Sequence, residues 1–118
     1  MKFLVVDDNA EVRRLIKSLL NEISDEVYEC VDGAEAVEIY RNIRPKWVLM
    51  DVFMKKMDGF AAMTEIKKLD PRARVVIVSN HTDKRTQQTA SELGAYAFFG
   101  KDDLVGLLTL LKMKQLDS

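Results

Sequence analysis

The chain has 118 residues, 47% apolar and 31% charged, with 18 basic against 19 acidic side chains and a formal charge of -1. At roughly 100–200 residues per domain this is one domain over residues 1–118, with enough aliphatic and aromatic content to exclude disorder. The basic runs Lys55-Lys56 and Lys84-Arg85 are too short for a nucleic-acid stripe, and no apolar run approaches the ~20 residues of a membrane span.

The elements alternate along the chain. Phe3-Leu4-Val5-Val6 is a continuous apolar run, as in a strand buried on both faces. Val12, Leu15, Ile16, Leu19, Leu20 and Ile23 then repeat at helical spacing. Val27 to Val31 reads as a second strand, and Ala36, Val37, Ile39, Tyr40 and Ile43 mark a helix that stops before Pro45. Trp47 to Met50 is a third strand. Phe60, Met63, Ile66 and Leu69 predict a helix closed by Asp70-Pro71. Val75 to Val78 is a β-branched fourth strand. A polar fourth helix is predicted over about Asp83 to Leu93, with Gly94 as its stop. Tyr96 to Phe99 is a short fifth strand, and Leu104, Val105, Leu107, Leu108, Leu110 and Leu111 form the last helix.

Repeated βα units require right-handed crossovers and a parallel sheet, which makes this a doubly wound α/β sandwich. Ligands in such folds bind beyond the carboxyl ends of the strands. Asp7 and Asp8 follow the first strand, Asp51 the third and Ser79 the fourth, and Lys101 lies just past the fifth. Taken singly, each has an ordinary explanation: Asp8 with Glu11 as a capping box, Asp51 capping a turn, Lys101 as a solvated lysine. Their equivalent topological positions point instead to one shared crevice. Three close carboxylates repel one another, so one stays protonated or a cation binds. With one histidine and one cysteine in the chain, the donors are oxygen only, which favours a hard ion, Mg2+ above all. The single Cys30 also excludes an internal disulfide and fits a reducing cytoplasm.

The motifs Val5-Val6-Asp7-Asp8-Asn9, Leu49-Met50-Asp51-Val52, Met57-Asp58-Gly59, Val76-Ile77-Val78-Ser79 and Gly94-Ala95 followed by Phe98 and Gly100-Lys101 occur in the order of a known family. In this arrangement the chain resembles the receiver domain of bacterial two-component response regulators, of the chemotaxis-regulator type. The resemblance implies a flavodoxin-like sheet of strand order 2-1-3-4-5. It implies Asp51 as phosphoacceptor, with Asp8, Asp51 and the backbone carbonyl of Phe53 on Mg2+ and Asp7 acting through water or by polarising the site. Lys101 and Ser79 would contact the phosphoryl group, and Ser79 with Phe98 would form the switch. The donor would be a sensor histidine kinase or a phosphotransfer protein. The signal would leave through helix four, strand five and helix five, around Lys84, Arg85, Gln88 and Tyr96, toward a downstream protein or effector domain. Such a domain is a signalling protein that at most catalyses its own phosphorylation and dephosphorylation.

The sequence departs from the family pattern at Lys55, where proline is usual, at Asn80, where a small residue is usual, and at Asp102, where proline is usual. Asp102 is instead read as an acid opening the last helix. Two other functions fit part of the pattern: a pseudo-receiver that binds partners without phosphorylation, and an aspartate-nucleophile phosphatase. The phosphatase would carry Asp-x-Asp after its first strand, and this chain has adjacent Asp7-Asp8. A Ser79–His81 nucleophile pair lacks an orienting acid and an oxyanion hole, and Cys30 reads as core.

Overall fold

Every second residue of the central apolar runs faces the same side of a sheet, so each run supplies two hydrophobic faces and needs helices on both. In the computed structural model, which describes residues 1–116, this is how the chain folds. The elements are β1 (Lys2–Val6), α1 (Ala10–Leu20), β2 (Glu26–Cys30), α2 (Gly33–Ile43), β3 (Trp47–Met50), α3 (Gly59–Leu69), β4 (Val75–Ser79), α4 (Lys84–Glu92), β5 (Ala97–Gly100) and α5 (Leu104–Leu116). The last two residues of the expected 1–118 domain lie outside the described residues.

The strands form one parallel sheet in the order β2-β1-β3-β4-β5. Phe3, Val5, Trp47, Leu49, Val76 and Val78 face α1 and α5, meeting Ile16, Leu20, Leu107 and Leu111. Leu4, Val6, Val48, Met50 and Ile77 face the other way, against Ala36 and Tyr40 of α2, Ala62, Met63 and Ile66 of α3, and Ala90 of α4. Strand order reverses between β1 and β3, so the crevice of the fold opens beyond Val6 and Met50.

Three local expectations are corrected. Asn9, not Asp8, caps α1: its Oδ1 accepts from the backbone N–H of Glu11 at 2.9 Å and of Val12 at 3.1 Å. Asp103, not Asp102, holds the start of α5, accepting from the Gly106 N–H at 3.0 Å. The second and fifth strands are each displaced by one residue from the apolar runs, to Glu26–Cys30 and Ala97–Gly100. Both lie at sheet edges, where one flank is solvated and the apolar pattern is weakest. Cys30 is buried, as expected; burial first, then the charges of Glu35 and Asp32, push its thiol up to about 12, so it is an inert core thiol.

Candidate functional site

The ladder itself delivers the carboxylates to one place. Asp7 and Asp51 directly follow paired strands, and each continues the ladder by one bond: the Asp7 N–H donates to the Cys30 carbonyl at 3.2 Å and the Asp51 N–H to the Val6 carbonyl at 2.9 Å. Carboxylate oxygens of Asp7, Asp8 and Asp51 consequently lie within 4.8 Å of one another, with Asp7 and Asp51 buried and Asp8 exposed. The Lys101 ammonium reaches over from the β5–α5 connection to sit 2.8 Å from Asp7 Oδ2 and 3.5 Å from Asp51 Oδ2. An open cleft of about 200 Å³ leads to these groups, lined by Asp8, Asn9, Asp51, Phe53, Asn80, His81 and Lys101.

The charges are out of balance. Burial first, then the neighbouring Asp7 charge, push the Asp51 carboxyl up to about 6, although Lys101 and the Val52 N–H hold it down. At Lys101 burial works against the ammonium, but its hydrogen bond to Asp7 and the charge of Asp51 outweigh that, leaving its pKa above the ordinary lysine value. One cation among three carboxylates leaves a net negative pocket of oxygen donors, which suits a hard divalent ion.

Of the residues singled out from sequence, Asp7, Asp8, Asp51, Phe53 and Lys101 converge on this pocket. Ser79 lies beneath it, fully buried at the end of β4, and its Oγ accepts from the His81 N–H at 3.0 Å. Ser79 and Lys101 are joined through the backbone, the Lys101 N–H donating to the Ser79 carbonyl at 3.0 Å. Phe98 does not line the cleft; it is half-buried beside Ile77 and packs on the α2–α3 side of the sheet. Trp47 lies at the opposite end of β3 from Asp51, against Tyr96 and Arg74, so it does not report on the carboxylates by contact. His81 packs against Phe53 with ring centroids 4.3 Å apart and the ring planes tilted by 56°, which places an aromatic pair at the rim.

Residues that sequence reasoning missed support the site from behind. The Arg13 guanidinium donates to the Asp7 carbonyl at 2.7 Å and also meets Glu29. Helical periodicity marks Arg13 only as a polar position, so no signal in the sequence indicates it. Gly59 lies against the Asp51 peptide: a Cβ there would be 1.9 Å from the Asp51 carbonyl oxygen, while the Gly59 N–H donates to the Val52 carbonyl at 2.7 Å. Gly33 is similarly pressed on the Met57 carbonyl, where a Cβ would come within 2.4 Å. The Asp58-Gly59 pair was the available signal, since Asp58 caps α3 through the Ala61 N–H at 2.8 Å.

The comparisons with known proteins agree with this geometry. A model of the response regulator receiver domain matches residues 3–112. The chemotaxis protein CheY of Bacillus subtilis is 39% identical over 101 residues, covering 85% of this chain and 84% of the relative. CheY of Thermotoga maritima is 36% identical with the same coverage. Among solved structures, the receiver domain of NtrX from Brucella abortus superposes with a TM-score of 0.86 at 30% identity, covering 99% of each chain. With a family match spanning nearly the whole chain and relatives of this similarity, the chain belongs to the response regulator receiver domain family of two-component systems.

Proposed function

We propose that the chain is a phosphoacceptor signalling domain, one domain over residues 1–118, in which Asp51 takes a phosphoryl group from a sensor histidine kinase or a phosphotransfer protein in the cytoplasm. The observation that carries this reading is the convergence of Asp7, Asp8, Asp51 and Lys101 at the carboxyl end of the sheet. The oxygen-only donor set and the raised Asp51 carboxyl fit a divalent cation, and Asp7, Asp8, Asp51 and the Phe53 carbonyl would hold Mg2+. When bound, that ion supplies neutralisation of the charge carried by the transferring phosphoryl oxygens.

Asp51 supplies the nucleophile. One carboxylate oxygen bonds to phosphorus as the donor's P–N bond breaks, and the electron pair of that bond returns to the imidazole nitrogen. At neutral pH a carboxyl with a pKa of about 6 is already mostly ionised, so no general base is required. Lys101 donates to a phosphoryl oxygen, giving up part of its contact with Asp7. The Ser79 hydroxyl turns from the His81 N–H toward the same group and draws the β4–α4 connection with it. Because Ser79 and Lys101 are bonded to each other and Phe98 pairs with Ile77 in the adjoining strands, the bias passes to α4, β5 and α5. Of α4, only Ala90 is buried, so few contacts hold that helix in place.

The test is intact mass after incubation with a small acyl phosphate and Mg2+. One added phosphoryl group, labile to hydroxylamine and absent from Asp51→Asn, is expected. An unmodified wild-type chain would favour an interaction module that works without phosphorylation.

A further inference from the structure

At the opposite end of the sheet from the carboxylates, the α2–β3 and α3–β4 connections enclose a second open cleft, of about 270 Å³, bordered by Tyr40, Arg44, Lys46, Asp70, Arg72 and Arg74. Four cations thus surround one carboxylate. Asp70 is already engaged: the Tyr40 hydroxyl donates to its Oδ2 at 2.7 Å, the Arg72 N–H donates to its Oδ1 at 3.0 Å, and Arg44 lies 4.0 Å away. The carbonyl ends of α2 and α3 take up a further fraction of the positive charge, about half a unit each. A surplus remains. The Lys46 ammonium and the Arg72 guanidinium make no ion pair or hydrogen bond among the described residues.

Arg44 adds an independent sign. It caps α2 in the left-handed conformation, φ 45 and ψ 63, a place where glycine is the unstrained choice. The strain is borne by a residue whose side chain lies over the Tyr40 ring at 5.5 Å and borders the cleft. Arg74 is shared between the cleft and the rings of Trp47, at 5.1 Å, and Tyr96, at 5.6 Å.

We propose that this cleft binds a phosphate group, using Lys46, Arg72 and Arg44 as its donors, and that it is a site separate from the Asp51 pocket. The charge surplus matches a dianion, and the planar guanidinium forks match phosphate oxygens. A partner's peptide strand fits less well. The flanking strands β3 and β4 are both interior to the sheet and offer no free edge, and the cleft is too small for an extended segment. The bound group screens the mutual repulsion of the cations, so it binds without a metal, in contrast to anything drawn to the carboxylates.

The protein carries its own reporter, since Trp47 is the single tryptophan and Arg74 lies on its ring. Pyrophosphate is titrated in EDTA at constant ionic strength, with chloride as the control, while Trp47 fluorescence and backbone amide shifts are followed. Saturable shifts over residues 43–47 and 70–75 are expected, and the double variant Lys46→Gln/Arg72→Gln is expected to bind at least about tenfold more weakly with an unchanged fold. Nucleoside diphosphate binding tighter than pyrophosphate would identify an organic phosphate as the source, and equal binding would identify the free anion. The proposal is overturned by a response no larger than that to chloride. Shifts confined to the Asp7, Asp51 and Lys101 end would overturn it as well, as would hexaglutamate binding as tightly as pyrophosphate.

Discussion

Neutralising Asp51 without changing its shape should make the metal-free protein more stable. The Asp51 carboxyl stands at about 6 in the folded chain against 3.8 for the free group. A raised acid pKa means that folding penalises the ionised form. The folded chain holds its proton over the window from pH 3.8 to about 6, where the unfolded chain has released it. Stability therefore falls as pH rises through that window, and the penalty is fully present above it. At about 1.4 kcal/mol per pKa unit the shift corresponds to at most about 3 kcal/mol. Asp51→Asn keeps an oxygen to accept from the Val52 N–H at 2.9 Å, and Lys101 retains Asp7 at 2.8 Å. In EDTA at pH 7.5, urea unfolding should show the variant more stable by about 1–3 kcal/mol with the same m-value, or about 4 °C of Tm per kcal/mol. Near pH 3.5 the two proteins should converge. A variant equal to or weaker than wild type at pH 7.5, or an advantage that persists undiminished at pH 3.5, would refute the electrostatic account of the pocket.

Four further outcomes are expected. Mg2+ or Mn2+ should raise wild-type stability by about 2.7 kcal/mol at a hundred times Kd, and calorimetric titration of Asp8→Asn should show that binding strongly weakened. Lys101→Ala removes the cation held between two buried carboxylates and should cost about 3–5 kcal/mol at pH 7.5 in urea unfolding, with a smaller loss at pH 4.5, where the Asp51 carboxyl is protonated. Gly59→Ala forces a methyl group against the Asp51 carbonyl and should cost about 1–3 kcal/mol or more, measured by Tm, together with slower labelling by acyl phosphate. Beryllofluoride with Mg2+ should change hydrogen-exchange protection over residues 80–105; changes restricted to the loops at Asp8 and Asp51 would remove the proposed route through α4 and β5.

Much of the fold was legible because burial and chain direction write themselves into local patterns. Val75 to Val78 and Trp47 to Met50 are buried along their whole length, and a short, largely β-branched apolar run of this kind reads as a central strand covered on both faces. The polar residues at the ends of those runs marked the crevice, because a charge directly after a buried strand falls at the end of the sheet, where the crevice opens. The terminal details were less legible. Asn9 and Asp8, like Asp103 and Asp102, are adjacent residues with equivalent capping chemistry, and only the backbone angle at the turn decides which oxygen meets the free N–H groups. The edge strands were displaced by one residue because the exposed positions of β2 leave little apolar pattern to set the boundary.

Sequence alone determined the alternation of strand and helix, the crevice at Asp7, Asp8 and Asp51, and the hard-ion character of that donor set, since each follows from residue type and order. Tertiary structure decided what depends on pairing between distant segments. The ladder placed β1 between β2 and β3 and brought Asp7 beside Asp51. Packing set Lys101 nearer to Asp7 than to Asp51, put Gly59 against the Asp51 peptide, and recruited Arg13 to the Asp7 carbonyl. It also gathered Arg44, Lys46, Arg72 and Arg74 from two separate connections into one cleft. Residues far apart in the chain share no local pattern, and their distances become definite only when the sheet has closed the loops between them.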